Sequence, residues 1–282
     1  MSDSGDESGM ALDAIFVEPP RPPSPEPTIA VYSRDKFHNA KSINNTQDDW
    51  SNIEIRLVGS HPLWGHHLWN ASRSFASYLD IHCELYRGLS VLELGAGGAL
   101  PGIVAARNGA QTVVLTDYPD TSLIDNITFN VQKNIPTGDL PRVHVQGYIW
   151  GHPVEPLLRV VESKEFDLII MSDLIFNHSQ HDALLNTCDL TLSKRCSSAA
   201  SNENNARSSH SIGPCLLVFY THHRPHLAHR DMEFFVKAKE RGWFCEEILT
   251  EKFPPMFPED PGEEEVRATV HGWRLTRIQE KK

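Results

Sequence analysis

The sequence lacks a basic excess, a long apolar run and any Cys-x-x-Cys pair, and each absence removes a class of function. Lys and Arg number 26 against 37 Asp and Glu in 282 residues, a net charge of −11. That balance argues against a general affinity for nucleic-acid phosphates or anionic lipid, but it allows a basic substrate. The most apolar segment, FDLIIMSDLIF at 166–176, is too short to span a bilayer. The cysteines number five, an odd count (Cys83, Cys188, Cys196, Cys215 and Cys245), and fit free thiols in a reducing compartment. The opening MSDSGDESGM is acidic where a secretory leader is basic and then apolar. The expectation is a cytoplasmic monomer with no membrane segment, no nucleic-acid partner and no metal.

What is present is unevenly distributed. Residues 1–27 carry six acids, one base and six prolines. They read as a disordered, Pro-rich acidic tail, because PPRPPSPEP cannot sustain a helix. A second acidic run, EDPGEEE at 259–265, holds five acids and no base, so the chain outside these two segments is close to neutral. A low-complexity Ser/Asn-rich stretch at 197–211 reads as a flexible insert within a single domain spanning 28–282.

From residue 66 onward helical periodicity alternates with short apolar runs. A helix is predicted over HHLWNASRSFASYLDIH (66–82), then strand SVLELG, helix ALPGIVAARNGA, strand TVVLTD and helix TSLIDNITFNVQKN. Strands follow at VHVQGYIW, FDLIIMSD and CLLVFYTH, with helices at 181–192 and 227–241, the latter closed by Gly242. FCEEILTEKF and EVRATVHGWRLTRI have no helix between them and read as a terminal hairpin with EDPGEEE in its loop. Upstream, the alternation in IEIRLVGS predicts an edge strand. This is an α/β chain with a doubly wound, mainly parallel seven-stranded sheet and a C-terminal β-hairpin.

The Gly-rich turn VLELGAGGALPG lies between a strand and a helix, where open α/β sheets bind ligands. It is not a dinucleotide fingerprint: counting G-x-G-x-x-G from Gly95, the third glycine falls on Leu100. The G-K-[ST] of a triphosphate loop is also absent. Instead Glu93 precedes the first glycine by two positions, and a carboxylate there suits a cationic ligand. Asp117, 24 residues after Glu93, ends the next strand, where an acid can accept hydrogen bonds from ribose hydroxyls. An acid for a sulfonium or ammonium plus an acid for a ribose describes S-adenosyl-L-methionine.

With LVGSHPLWGHHLWNA, ELGAGGALPG, TDYPD, YIWG and DLIIMSDLIFNHSQH in place, the sequence resembles the seven-β-strand methyltransferases that use S-adenosylmethionine. Over roughly residues 55–278 it is similar to their lysine methyltransferase branch, whose members modify chaperones and translation factors. That resemblance implies a class I, Rossmann-like fold and methylation of the N-terminal amine and a neighbouring lysine of translation elongation factor 1-alpha. It further implies that Gly95, Ala96 and Gly97 cradle the cofactor, Asp117 holds its ribose, Trp64 caps it, Trp150 borders the adenine and Ser172 completes the pocket floor. One departure stands at Ala99, where the family often has glycine; a reshaped turn is the expectation.

Plainer readings exist for each of these residues. The glycines could serve only the turn, Asp117 could cap the helix starting at Thr121, the tryptophans could be core aromatics, and Ser172 could simply pack. The histidines of THHRPHLAHR suggest a metal cluster, yet no ligand set with familiar spacing completes it, so a solvated loop is the better reading. For the substrate, Asp173 is the predicted amine contact, with Phe176 and Tyr220 as walls; Asn177, His178 and His222 are nearby candidates. A small-molecule N-methyltransferase and a catalytically idle binding module remain the alternatives.

Overall fold

A computed structural model describes residues 25–34, 50–195 and 213–278. The expected Ser/Asn-rich insert, Cys196, and all but the last three residues of the expected tail lie outside them. Seven strands form one sheet in the order β5-β4-β3-β6-β7-β9-β8. In chain order these are β3 (Ser90–Leu94), β4 (Thr112–Asp117), β5 (Val143–Gly147), β6 (Leu168–Ser172), β7 (Cys215–Thr221), β8 (Trp243–Lys252) and β9 (Thr269–Arg277). The strands from β5 across to β7 run parallel, and β9 is antiparallel to both β7 and β8.

β3 and β7 are buried at every position, as central parallel strands covered on both faces must be. The side chains of β3, β6 and β7 alternate between two cores. Val91, Leu168, Leu217 and Phe219 face helices α1 (Asn70–Ile81), α2 (Leu100–Arg107) and α3 (Thr121–Asn134). Leu92, Ile169, Val218 and Tyr220 face α4 (Glu155–Leu158), α5 (His181–Thr191) and α6 (Ala228–Glu240). The chain winds outward from β3 through β4 to β5, then returns to place β6 on the other side of β3. This reversal opens a crevice at the carboxyl ends of β3 and β6.

The segment IEIRLVGS does not join the edge of this sheet. It forms β2 (Asn52–Leu57), paired antiparallel with β1 (Thr28–Ser33) in a separate two-stranded layer. Three asparagines one helical turn apart on α3 occupy the edge that another strand would need. The Arg56 N–H donates to Asn130 Oδ1 (2.8 Å) and the Glu54 N–H to Asn134 Oδ1 (3.1 Å). In return Asn126, Asn130 and Asn134 donate to the Arg56 and Glu54 carbonyls. Side-chain amides thus satisfy backbone groups that would otherwise be buried unpaired. Asn130 also donates to the Gly98 carbonyl, which ties the Gly-rich turn to this layer.

Two elements start four residues later than expected. α1 begins at Asn70, because His66–Trp69 form an aromatic loop and Trp69 is extended at the N-cap. The run predicted as a strand from Glu265 first makes a short helix, α7 (Glu264–Ala268), and β9 begins only at Thr269.

Candidate active site at the strand ends

A cavity of about 590 Å³ opens at the carboxyl ends of β3, β4 and β6, within the range of small-ligand sites. Its walls include Trp64, Gly95, Ala96, Gly97, Asp117, Trp150, Ser172, Asp173 and Phe176, which brings nine of the eleven predicted residues together.

The Gly-rich turn is held rigidly. Gly95 and Gly97 both have positive φ, and the Ala96 N–H donates to the Thr116 carbonyl of β4 (2.8 Å). A Cβ built on Gly97 meets no atom within 4 Å, although Gly97 lines the cavity. The backbone there is left bare toward the space a ligand would fill. Ala99 adopts φ +62°, the left-handed conformation that glycine would take freely.

Asp117 does not cap α3. That task falls to Asp120, which accepts from the Ser122 N–H (2.9 Å). The Asp117 oxygens accept instead from the Gly97 and Tyr118 amides, both at 2.7 Å. Burial pushes its carboxyl upward, against the lowering effect of those two amides. Each oxygen retains acceptor capacity for a second partner. Ser172 Oγ is buried without a hydrogen-bond partner and lines the cavity.

Glu93 is placed differently from the expectation of a carboxylate facing a cationic ligand. It is fully buried outside the cavity lining, and Oε2 accepts from the Gly102 N–H in α2 (2.9 Å). Burial raises its pKa to about 8. Gly102 is the glycine that permits close packing of the helix on the sheet: a Cβ there would lie 2.2 Å from Leu115 and 2.4 Å from Glu93. It stands two positions beyond the site a dinucleotide motif reserves for that purpose. A glycine inside a helical pattern was the available signal. Tyr220 is also outside the cavity. Its hydroxyl points at Met232 Sδ (3.3 Å) and its ring stacks on His271, so it is not a substrate wall.

Beside the cavity lies a second recess of about 230 Å³, with Trp64, Trp69, Phe176 and Arg224 common to both. Phe257, from the connection between β8 and α7, closes it against Trp64, His67 and Trp69 with centroid distances of 5.3 to 6.5 Å. Trp64 and Phe176 are 42% and 43% exposed, placing two large apolar surfaces on the rim. Trp64 also has φ +62°, an unusual backbone for a bulky residue, held in a turn by its N–H donating to the His61 carbonyl.

Of the four histidines after β7, His226 and His229 are exposed, as a solvated segment would have them, but His222 and His223 are engaged by carboxylates. His222 is buried, with Nδ1 at 2.6 Å from Asp231 Oδ2, while His178 Nε2 lies 2.6 Å from Asp231 Oδ1. His223 Nε2 lies 2.9 Å from Asp173 Oδ2. Asp173 is therefore one half of a hydrogen-bonded pair and not a lone amine contact. Among the described residues no group of three or more His, Cys, Asp or Glu is arranged to hold a metal ion, and no helix is long and apolar enough to cross a membrane.

Residues 49–210 match the family model described as lysine methyltransferase. The chain is 43% identical over 282 residues to the protein N-terminal and lysine N-methyltransferase EFM7 of Cryptococcus neoformans, covering 99% of this chain and 92% of the relative. It is 40% identical over 267 residues to the protein of the same name from Schizosaccharomyces pombe, covering 93% and 94%. Its fold is similar to a solved candidate RNA methyltransferase from Pyrococcus horikoshii, with a TM-score of 0.50 at 15% identity, covering 87% of this chain and 96% of that one.

Proposed function

Because the chain belongs to the lysine methyltransferase family, we propose that it moves methyl groups from S-adenosylmethionine to an N-terminal amine and a neighbouring lysine of one protein, translation elongation factor 1-alpha. The observation that carries this reading is the joining of two recesses through shared walls, one suited to the cofactor and the other reaching an aromatic rim. A protein N-terminus is presented on a chain and needs such a rim, whereas a small metabolite needs only the inner cavity. The reading also has the enzyme act as a monomer in the cytoplasm.

The residues present fit the cofactor. The bare backbone at Gly97 leaves room beside the turn, Asp117 has acceptor capacity for ribose hydroxyls, and the orphaned Ser172 Oγ lacks a partner that a polar ligand group would supply. Trp150 offers an aromatic face beside Gly95 for a base. When bound, S-adenosylmethionine supplies an electrophilic methyl group and a neutral leaving group.

The protein must align an amine behind that methyl, which costs orientation entropy spent in binding. It must also provide the amine unprotonated, since an α-ammonium titrates near 8 and a lysine near 10.4. Trp64, Trp69 and Phe176 line the route between recess and cavity. Their faces favour a cationic amine as it enters.

Incubation of the protein with methyl-labelled S-adenosylmethionine and a cell lysate, followed by mass spectrometry, tests the assignment. The expected result is label on the first residues of elongation factor 1-alpha. Label confined to small metabolites would overturn it in favour of a small-molecule N-methyltransferase.

A further inference from the structure

We infer that Asp173 and His223 act as a pair to accept the proton of the incoming amine, with His223 as the base and Asp173 as the residue that orients it. The inference rests on the amine-methylating function proposed above. Three observations place the pair where such a base is required. Asp173 lines the cofactor cavity, His223 lines the second recess, and their side chains meet across the wall between the two, Nε2 to Oδ2 at 2.9 Å. An amine moving from recess to cavity passes this junction. The two residues are 50 positions apart in the chain, brought together by the parallel pairing of β6 with β7.

The carboxylate is preset. Asp173 adopts φ +58°, with its N–H donating to the Phe219 carbonyl (2.7 Å) and its Oδ1 accepting from the Thr221 N–H (3.3 Å). Strain of this kind is kept where the surroundings enforce it, and it collects at working sites. The imidazole is preset too, because the Trp69 ring packs edge-on against it at 4.7 Å. With Nε2 engaged by Asp173, Nδ1 has no hydrogen-bond partner among the described residues, and the ring remains partly exposed. A carboxylate holding one imidazole nitrogen leaves the other free to take a proton and stabilises the imidazolium that results.

The charges around His223 support this. Burial lowers its affinity for a proton, but the charge and hydrogen bond of Asp173, with Asp231 behind, outweigh burial, and the net pKa is raised. Asp231 comes from α6, where it is also held by His178 from the segment after β6 and by His222. Arg224 opposes the shift, Arg230 and Asp260 complete the charged lining of the recess, and His67 faces it across Trp69.

The proton balance is simple. An N–H bond of the ammonium breaks and an Nδ1–H bond forms, and the freed lone pair becomes the nucleophile. The methylated product is again an ammonium, so further rounds need the same transfer. Between rounds the proton passes from the partly exposed ring to water.

The test uses the full chain, His223→Gln and Asp173→Asn, with two peptides from the elongation factor N-terminus. One is N-acetylated and carries the lysine; the other has a free α-amine and norleucine in place of the lysine. Turnover of both peptides by the wild type supports the underlying function, and the variant-to-wild-type ratio reads the pair alone. His223→Gln should lower kcat on the lysine peptide about 100-fold at pH 7.5, the lower range for a lost general base. The loss should shrink as pH rises toward 9.5. The α-amine peptide should lose less, because more of it is already unprotonated. Asp173→Asn should show the same alkaline recovery, and the cofactor Kd of His223→Gln should stay within about twofold of wild type. A loss equal for both peptides and constant with pH, or no loss, overturns the assignment. If the wild type turns over neither peptide, the substrate reading falls, and the pair's role with it.

Discussion

The 590 Å³ cavity and the 230 Å³ recess share a wall but are built in opposite ways. The cavity is walled by the 62–72 stretch it shares in part with the recess and, beyond that, by the turns that leave β3, β4 and β6, whose backbones are fixed by hydrogen bonds to neighbouring strands and helices. The recess is walled by four separate stretches around residues 64–69, 176–178, 223–231 and 257–260, held by ring contacts and histidine–carboxylate pairs. A ligand shared across a family of methyltransferases suits the first kind of construction, because strand ends keep their geometry when surface loops change. A particular protein substrate suits the second, where changes in four loops alter the fit without disturbing the sheet.

The largest effect expected from breaking the cavity alone is that of Asp117→Ala. It removes the acceptor proposed for the ribose and also releases the Gly97 amide it holds at 2.7 Å. Two charge-assisted hydrogen bonds lost at about 1.5–3 kcal/mol each imply a fall in cofactor affinity of at least about 100-fold. Calorimetric titration with S-adenosylmethionine checks it, and unchanged affinity would remove Asp117 from the site. Phe257→Ala breaks the recess alone, since Phe257 packs on Trp64, His67 and Trp69 and does not line the cavity. It should raise KM for the protein substrate about tenfold, with cofactor Kd within about twofold of wild type. Movement of both constants together would mean that the two recesses are one site energetically.

The same contrast decides what could be read from the residues. Strand and helix alternation, the Gly95–Gly97 turn and the Asp117 offset are short-range features, and they locate the sheet and the cavity wall. Glu93 obeys the right spacing, but Gly102 draws its carboxylate into the helix, a contact nine residues away that the motif does not encode. Tyr220 alternates with Phe219 along β7, and strand parity turns it toward the α6 core. His223 reads as a loop residue because its partner, Asp173, lies 50 positions away, whereas Asp231, the partner of His222, follows the run directly and is within reach of a local reading. The strand expected at IEIRLVGS forms, but it pairs with β1 apart from the main sheet, and an asparagine ladder 70 to 80 residues away supplies its other backbone partners.

A third perturbation concerns stability below the cavity. Glu93 titrates at about 8 in the folded protein against 4.5 for its ordinary value, since burial disfavours its charge. The folded state therefore holds a proton that the unfolded state has released, and stability falls as pH rises from about 4.5 through 8. Glu93→Gln removes this titration while keeping an acceptor for the Gly102 N–H. Its thermal midpoint should gain on the wild type by several degrees between pH 5 and pH 8.5. A difference that does not change with pH would show that Glu93 keeps an ordinary carboxyl.

The smallest effect belongs to the acidic run beside the recess. Of its five acids, Asp260 lines the recess, whereas Glu263 precedes α7 and Glu264 and Glu265 open it. Glu265 is already matched by Lys252 Nζ at 2.6 Å, and both side chains are largely exposed. Exposed charges of this kind steer a basic partner more than they hold it, and salt screens them. Neutralising Glu263, Glu264 and Glu265 to Gln should reduce kcat/KM for a lysine-bearing substrate about two- to fivefold at low salt. The difference should vanish near 0.5 M salt, where the screening length drops to roughly 4 Å. Removing residues 1–27 should leave kcat/KM unchanged under the same conditions. If the tail deletion costs as much as the loop, the acidic charge acts through the whole surface and not through its position at the recess.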